Sequence, residues 1–293
     1  MRSGFRSAQG VVLGLASVLL ITEVSLAATL VSSVSASPDV TVELSSATFD
    51  DEDVAVDNLL GIVVPTSLGT LPANADVTAY HLLGSGDQLF SLGTTEALSP
   101  SLTVEPGDVV RYDGSTYSVE FDASANNIPI GVITDAVSRD SGGDLLISFD
   151  TTVDLGSFTA DDEDLVECQG LNAGVCTSFG STPIFDGSTV DATLATLDLD
   201  GAHDLGNGKL ALSFDGSGTL GSVTFDDEDI LYYDPVGSPT WYMVYDGSAE
   251  HPELAGGPDL NALALPEPNG LLLLVSGIAG LLFLGRRRIQ SQR

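Results

Sequence analysis

Leu210 to Gly247, LALSFDGSGTLGSVTFDDEDILYYDPVGSPTWYMVYDG, is the stretch whose reading decides the fold. An alternating apolar run, Leu210 to Phe214, is followed by the acidic cluster Asp226-Asp227-Glu228-Asp229. Ile230 to Tyr233 forms a second run, and a third ends at Val244-Tyr245-Asp246-Gly247. Short runs rich in β-branched and aromatic side chains, bounded by Gly, Asp and Ser, read as strands and turns.

The same features recur upstream in the same order. One copy runs through Leu145-Leu146-Ile147-Ser148-Phe149-Asp150, Asp161-Asp162-Glu163-Asp164, Leu165-Val166-Glu167 and Pro183-Ile184-Phe185-Asp186-Gly187. A weaker copy has Leu89 to Leu92, Glu105-Pro106-Gly107-Asp108, Val109 to Tyr112 and Val119 to Asp122, and Asp50-Asp51-Glu52-Asp53 with Val54 to Val56 marks a fourth. A further run opens the units at Val77 to Tyr80, Val132 to Ala136 and Leu197 to Asp200. The last aspartates of the acidic clusters are 55, 56 and 65 residues apart. Repeats of this length, each with about four short strands, are the pattern of propeller blades.

The two ends of this region complete the pattern. Thr29 to Ser33 matches the second strand of a unit, and Leu260 to Leu265 matches the first strand that the earliest unit lacks. The expectation is an all-β, four-bladed β-propeller closed by its N- and C-terminal strands, which also protects sheet edges. A β-sandwich is the alternative; it explains the alternation but not the permuted ends.

Outside this region the chain reads as targeting sequence. Arg2 and Arg6 precede a short apolar stretch from Val11 to Ile21, and Ser25-Leu26-Ala27 offers a signal-peptidase site. At the other end come Pro266-Glu267-Pro268, an apolar run from Gly270 to Gly285, and Arg286-Arg287-Arg288. That run is at the short end for a transmembrane helix, and the arginines favour the cytoplasmic side. The three-part order over residues 266–288 resembles the PEP-CTERM sorting signal. The resemblance implies an exosortase-type sorting protease as partner and an inner-membrane precursor. Cleavage would then free the protein to the cell surface or extracellular matrix, often beside exopolysaccharide. The expected organisation is a signal peptide at 1–27, an acidic β-repeat ectodomain at 28–265, and the sorting tail at 266–293.

Charge narrows the function further. The chain carries 9 Lys+Arg against 42 Asp+Glu, a formal net charge of −33. Arg111, Arg139 and Lys209 are the only cations between residues 28 and 265, where all but two of the acids lie. Nucleic-acid binding needs a basic footprint, and this region has none. Binding an anionic polysaccharide requires divalent cations to bridge the two.

The acidic clusters are candidate Ca²⁺ sites, because a hard cation takes six to eight oxygen ligands. Asp162, Asp164, Asp227 and Asp229 are the metal candidates. The competing reading, preferred here, is that these residues hold turns through hydrogen bonds to the local backbone. Cys168 and Cys176 flank a Gly/Asn loop, and in an exported chain they are expected to form a disulfide across a hairpin. No catalytic residue is assigned. His81, His203 and His251 are isolated in sequence, and His203 falls in a segment, LDLDGAHDLGNG, that reads as a polar turn. Trp241 reads as a buried strand residue rather than a sugar platform.

The favoured reading is an exported, non-enzymatic protein, surface-displayed or matrix-associated, that binds or organises extracellular polysaccharide with divalent cations. A secreted carbohydrate-active hydrolase using a carboxylate pair and a purely structural surface coat are the alternatives.

Overall fold

The computed structural model describes residues 33–59 and 63–265, so the signal peptide, the Pro266–Pro268 triplet, the apolar run and Arg286–Arg288 lie outside the described residues. Among the described residues, no helix is long and apolar enough to cross a membrane.

Four antiparallel sheets form four blades. Blade 2 is Val77–Leu82, Gln88–Leu92, Val109–Tyr112 and Tyr117–Phe121, hydrogen-bonded in that order from the inside out. Blade 4 repeats it with Gly201–Gly206, Lys209–Ser213, Ile230–Asp234 and Thr240–Tyr245. Blade 3 has Thr134–Arg139, Leu145–Phe149 and Val166–Cys168; a single bridge between Leu165 and Phe185 stands in for a fourth strand. Blade 1 joins the two ends of the chain. Leu260–Ala264 is its innermost strand, followed by Val34–Pro38, Val54–Asp57 and Val63–Thr66. Ser35 pairs with Ala264 and Ala36 with Leu263, so the last strand closes the first blade. Each innermost strand lies beside those of the two neighbouring blades, making a closed ring.

Packing follows from this arrangement. The described residues hold four apolar clusters, one between each pair of adjacent blades. Val54 and Ala262 meet Tyr80 and Phe90 between blades 1 and 2, and Phe121 meets Ile147 between blades 2 and 3. Leu146 and Phe185 meet Leu212 and Trp241 between blades 3 and 4. Tyr245 meets Leu254 and Leu263 between blades 4 and 1. A sandwich has one core between two sheets, so four interblade cores exclude that alternative. Inner strands such as Leu145–Phe149 are buried along their whole length because a blade covers each face.

Three expectations are corrected. The second strand of blade 1 starts at Val34; Thr29 to Ser32 lie outside the described residues. Pro183 to Gly187 forms no strand, because Asp186 caps a short helix at Gly187–Val190 through the Thr189 N–H. The first strand of blade 4 is Gly201–Gly206 rather than Leu197 to Asp200, so His203 lies on an innermost strand and not in a turn.

Candidate functional site

Each acidic cluster is a tight turn entering the third strand of a blade. In the turns, the N–H of the fourth residue donates to the carbonyl of the first: Asp53 to Asp50, Asp108 to Glu105, Asp164 to Asp161, Asp229 to Asp226. The fourth carboxylate answers by accepting the first residue's N–H, at 2.9–3.1 Å. Its other oxygen reaches the end of the outer strand, where it accepts from Ala123, Gly187 or Gly247 at 2.9, 3.1 and 3.0 Å. Asp164 and Asp229, two of the four metal candidates, therefore have both oxygens engaged by backbone.

The turns also staple blade to blade. The Val77 N–H donates to the Asp51 carbonyl at 2.8 Å, Thr134 to Pro106 at 3.2 Å, and Leu199 to Asp162 at 3.1 Å. The turns thus sit at the end of the molecule where the innermost strands begin. A steric exchange explains why the second cluster looks degenerate. A Cβ on Gly187 or Gly247 would come within 2.6–2.7 Å of the Glu163 or Glu228 side chain beneath it. In blade 2 the pair is reversed: Gly107 replaces the glutamate, and Ala123 fills the space 2.7 Å from where a Cβ would stand.

At this same end, further aspartates gather around the ring axis. Asp76, Asp200 and Asp259 each directly precede an innermost strand, Asp198 lies shortly before the same strand as Asp200, and Asp135 lies on one. Asp135 and Asp200 are only 8% and 7% exposed. One carboxylate oxygen of each of the five (Asp76 Oδ1, Asp135 Oδ2, Asp198 Oδ1, Asp200 Oδ2, Asp259 Oδ1) is buried without a hydrogen-bond partner. A buried oxygen left without a partner costs about 1–3 kcal/mol.

The electrostatics agree with that crowding. Burial first, then the Asp51 and Asp39 charges, push Asp76 up to about 6. Burial and the neighbouring Asp162 and Asp215 push Asp198 up to about 7. Asp259 is pushed up to about 7, again chiefly by burial, with Asp227 and Asp39 adding repulsion. Asp135 and Asp200 lie well above the carboxylate range, burial being the main cause and the other axial aspartates the next. Asp162 and Asp227, the remaining metal candidates, add charge to this ring, Asp162 acting on Asp198 and Asp135 and Asp227 on Asp259. Arg111, Arg139 and Lys209 give the ring no relief. Arg111 pairs with Asp87 and Glu120, Arg139 with Glu120, and Lys209 with Asp234 at 3.0 Å.

Below the acidic end, His81 of blade 2 and His203 of blade 4 face each other across the axis, ring centroids 5.3 Å apart. Each is 1% exposed, and burial pushes them down to about 3 and about 4. They fill the axis as neutral rings.

The remaining sequence candidates fall elsewhere. Cys168 and Cys176 form a disulfide, Cα atoms 5.3 Å apart. Its loop docks on blade 2, where the Asp122 N–H and the Asn126 side chain both donate to the Gly174 carbonyl. Trp241 is 9% exposed and packs on Phe185 and Tyr233. Among the described residues, three carboxylates with oxygens mutually within 4.8 Å occur at Asp140, Asp144 and Glu167. There Asp140 accepts from the Asp144 N–H, Asp144 from Gly170, and Glu167 from Gln169.

No family model matches the chain, and no curated protein matches it. Among solved structures, the chain is similar to a luciferin-regenerating enzyme (TM-score 0.37, 8% identity, 79% of this chain and 67% of that one). It is also similar to virginiamycin B lyase from Staphylococcus aureus (TM-score 0.32, 12% identity, 71% and 70%). A protein of unknown function from Bacteroides caccae gives a TM-score of 0.31 at 8% identity, covering 73% and 72%. These proteins are of varied function, and none of their activities is carried over.

Proposed function

We propose that this β-propeller is an exported, non-enzymatic protein, displayed on the cell surface or held in the extracellular matrix, that binds or organises polysaccharide through divalent cations. The observation that supports this most is the concentration of buried, unpaired carboxylates at one end of the ring axis. A surface of this sign repels an anionic glycan unless a divalent cation joins them. The sequence ends support the exported setting: residues 1–27 read as a signal peptide, and residues 266–288 resemble a PEP-CTERM tail that an exosortase-type protease would process. A glycan array probed with the protein in calcium and again in chelator tests the reading. Retention of acidic glycans in calcium, lost in chelator, is the expected result. No retained glycan in either condition overturns it.

A further inference from the structure

We propose that the axial end of the propeller is a binding site for one hard divalent cation, of the calcium–magnesium class, held by Asp135 and Asp200 with Asp76, Asp198 and Asp259 around them. Two kinds of observation carry this. The five side chains come from the starts of the innermost strands of all four blades, yet each keeps a buried oxygen without a hydrogen-bond partner. In addition, Asp135 and Asp200 are themselves more than nine-tenths buried, and among the described residues no Lys or Arg pairs with either. A buried carboxylate that lacks a partner raises the free energy of the fold unless something supplies the missing positive charge.

The donor set fixes the class of ion. All five donors are carboxylate oxygens, which suit calcium, magnesium or manganese, whereas zinc and copper favour imidazole and thiolate. His81 and His203 lie further along the innermost strands, where burial keeps them neutral. The five oxygens do not form a compact cage, since the Asp140–Asp144–Glu167 group alone among the described residues brings three carboxylates within 4.8 Å. The bound ion therefore keeps part of its water shell, as magnesium commonly does. Asp51, Asp162 and Asp227 are further carboxylates nearby, each adding repulsion to one of the axial aspartates.

The inference rests on the cation-dependent reading above in its choice of ion, but its test needs no glycan. The full chain, stripped with chelator, is titrated calorimetrically at about pH 7.5 with calcium chloride alone and then with magnesium chloride alone. One saturable site per chain is expected. The double substitution Asp135→Asn and Asp200→Asn should weaken it at least about tenfold, because affinity follows the number of charged ligands. Asp140→Asn should leave it unchanged. Both axial substitutions are isosteric and remove like-charge repulsion, so the ion-free variant should melt at or above the wild-type temperature, which separates lost binding from lost folding. Absence of a saturable site for either ion, or full affinity in the double variant, overturns the proposal. Cation binding with no glycan retained leaves this site standing and removes the polysaccharide reading.

Discussion

Asp57 Oδ2 lies 2.8 Å from His251 Nε2, a buried contact between residues 194 apart in sequence. Asp57 ends the third strand of blade 1, whereas His251 follows the outer strand of blade 4, so the pair clamps the ring where it closes. The Tyr245 hydroxyl donates to the same oxygen at 3.3 Å, and the Leu59 N–H donates to the other at 2.7 Å. His251→Ala leaves the buried carboxylate short of a partner. The expected loss is about 1–3 kcal/mol of global stability. Urea unfolding followed by tyrosine fluorescence and by circular dichroism should show both probes moving together. A loss confined to one probe would mean that the clamp is local.

The fourth aspartate of each acidic turn is expected to matter more for stability than the second. Asp229→Ala removes acceptors for two backbone N–H groups, those of Asp226 and Gly247, and should cost about 1–3 kcal/mol. Asp227→Asn removes a charge facing the axis and should be neutral or slightly stabilising without divalent cation. Paired melting curves in chelator check the order; equal losses would contradict the division between turn-holding and axis-facing aspartates.

The disulfide closes a short loop that also docks on blade 2. Replacing Cys168 and Cys176 together by alanine should cost roughly 2–3 kcal/mol from loop-closure entropy. Non-reducing peptide mapping of the native protein should find neither thiol alkylatable. Two free thiols would contradict the pairing.

Stability without divalent cation should fall as pH rises from about 6.5 to about 8. In the fold Asp198 and Asp259 are raised to about 7 from 3.8, so their protonated forms are favoured by folding. Their stabilising contribution is complete below the unfolded value and is lost as pH climbs through 7. Asp135 and Asp200, raised well above the same starting value, act in the same sense. His81 and His203 are lowered to about 3 and about 4 from 6.5, so they oppose this trend only below about pH 6.5. The window between about 6.5 and 8 therefore reports the carboxylates alone. Calcium at about pH 8 should restore the lost stability; a melting temperature that rises with pH over this window would contradict the electrostatics described.

Much of the fold was legible because the blades repeat. The acidic clusters mark the entrance to every third strand, and the orphaned Leu260–Leu265 run announced the closing strand. The misread elements have physical causes. Pro183 to Gly187 alternates like a strand, but Asp186 serves better as a helix cap over Gly187. Gly201 to Gly206 looked like a turn because its glycines and His203 carry little β signal. Its strand status comes from burial at the ring axis. The axial carboxylates were harder still to find. Asp76, Asp135, Asp198, Asp200 and Asp259 share no motif and meet only through ring closure. The one available signal was weak: an aspartate at or just before each innermost strand.

The central claim is that a divalent cation sits on the ring axis. Diffraction from crystals of the protein grown with manganese, an anomalously scattering ion that carboxylates also accept, tests it most directly. The account predicts one strong anomalous peak on the axis, ringed by Asp76, Asp135, Asp198, Asp200 and Asp259. Peaks confined to Asp140, Asp144 and Glu167, or no axial peak at all, would contradict it.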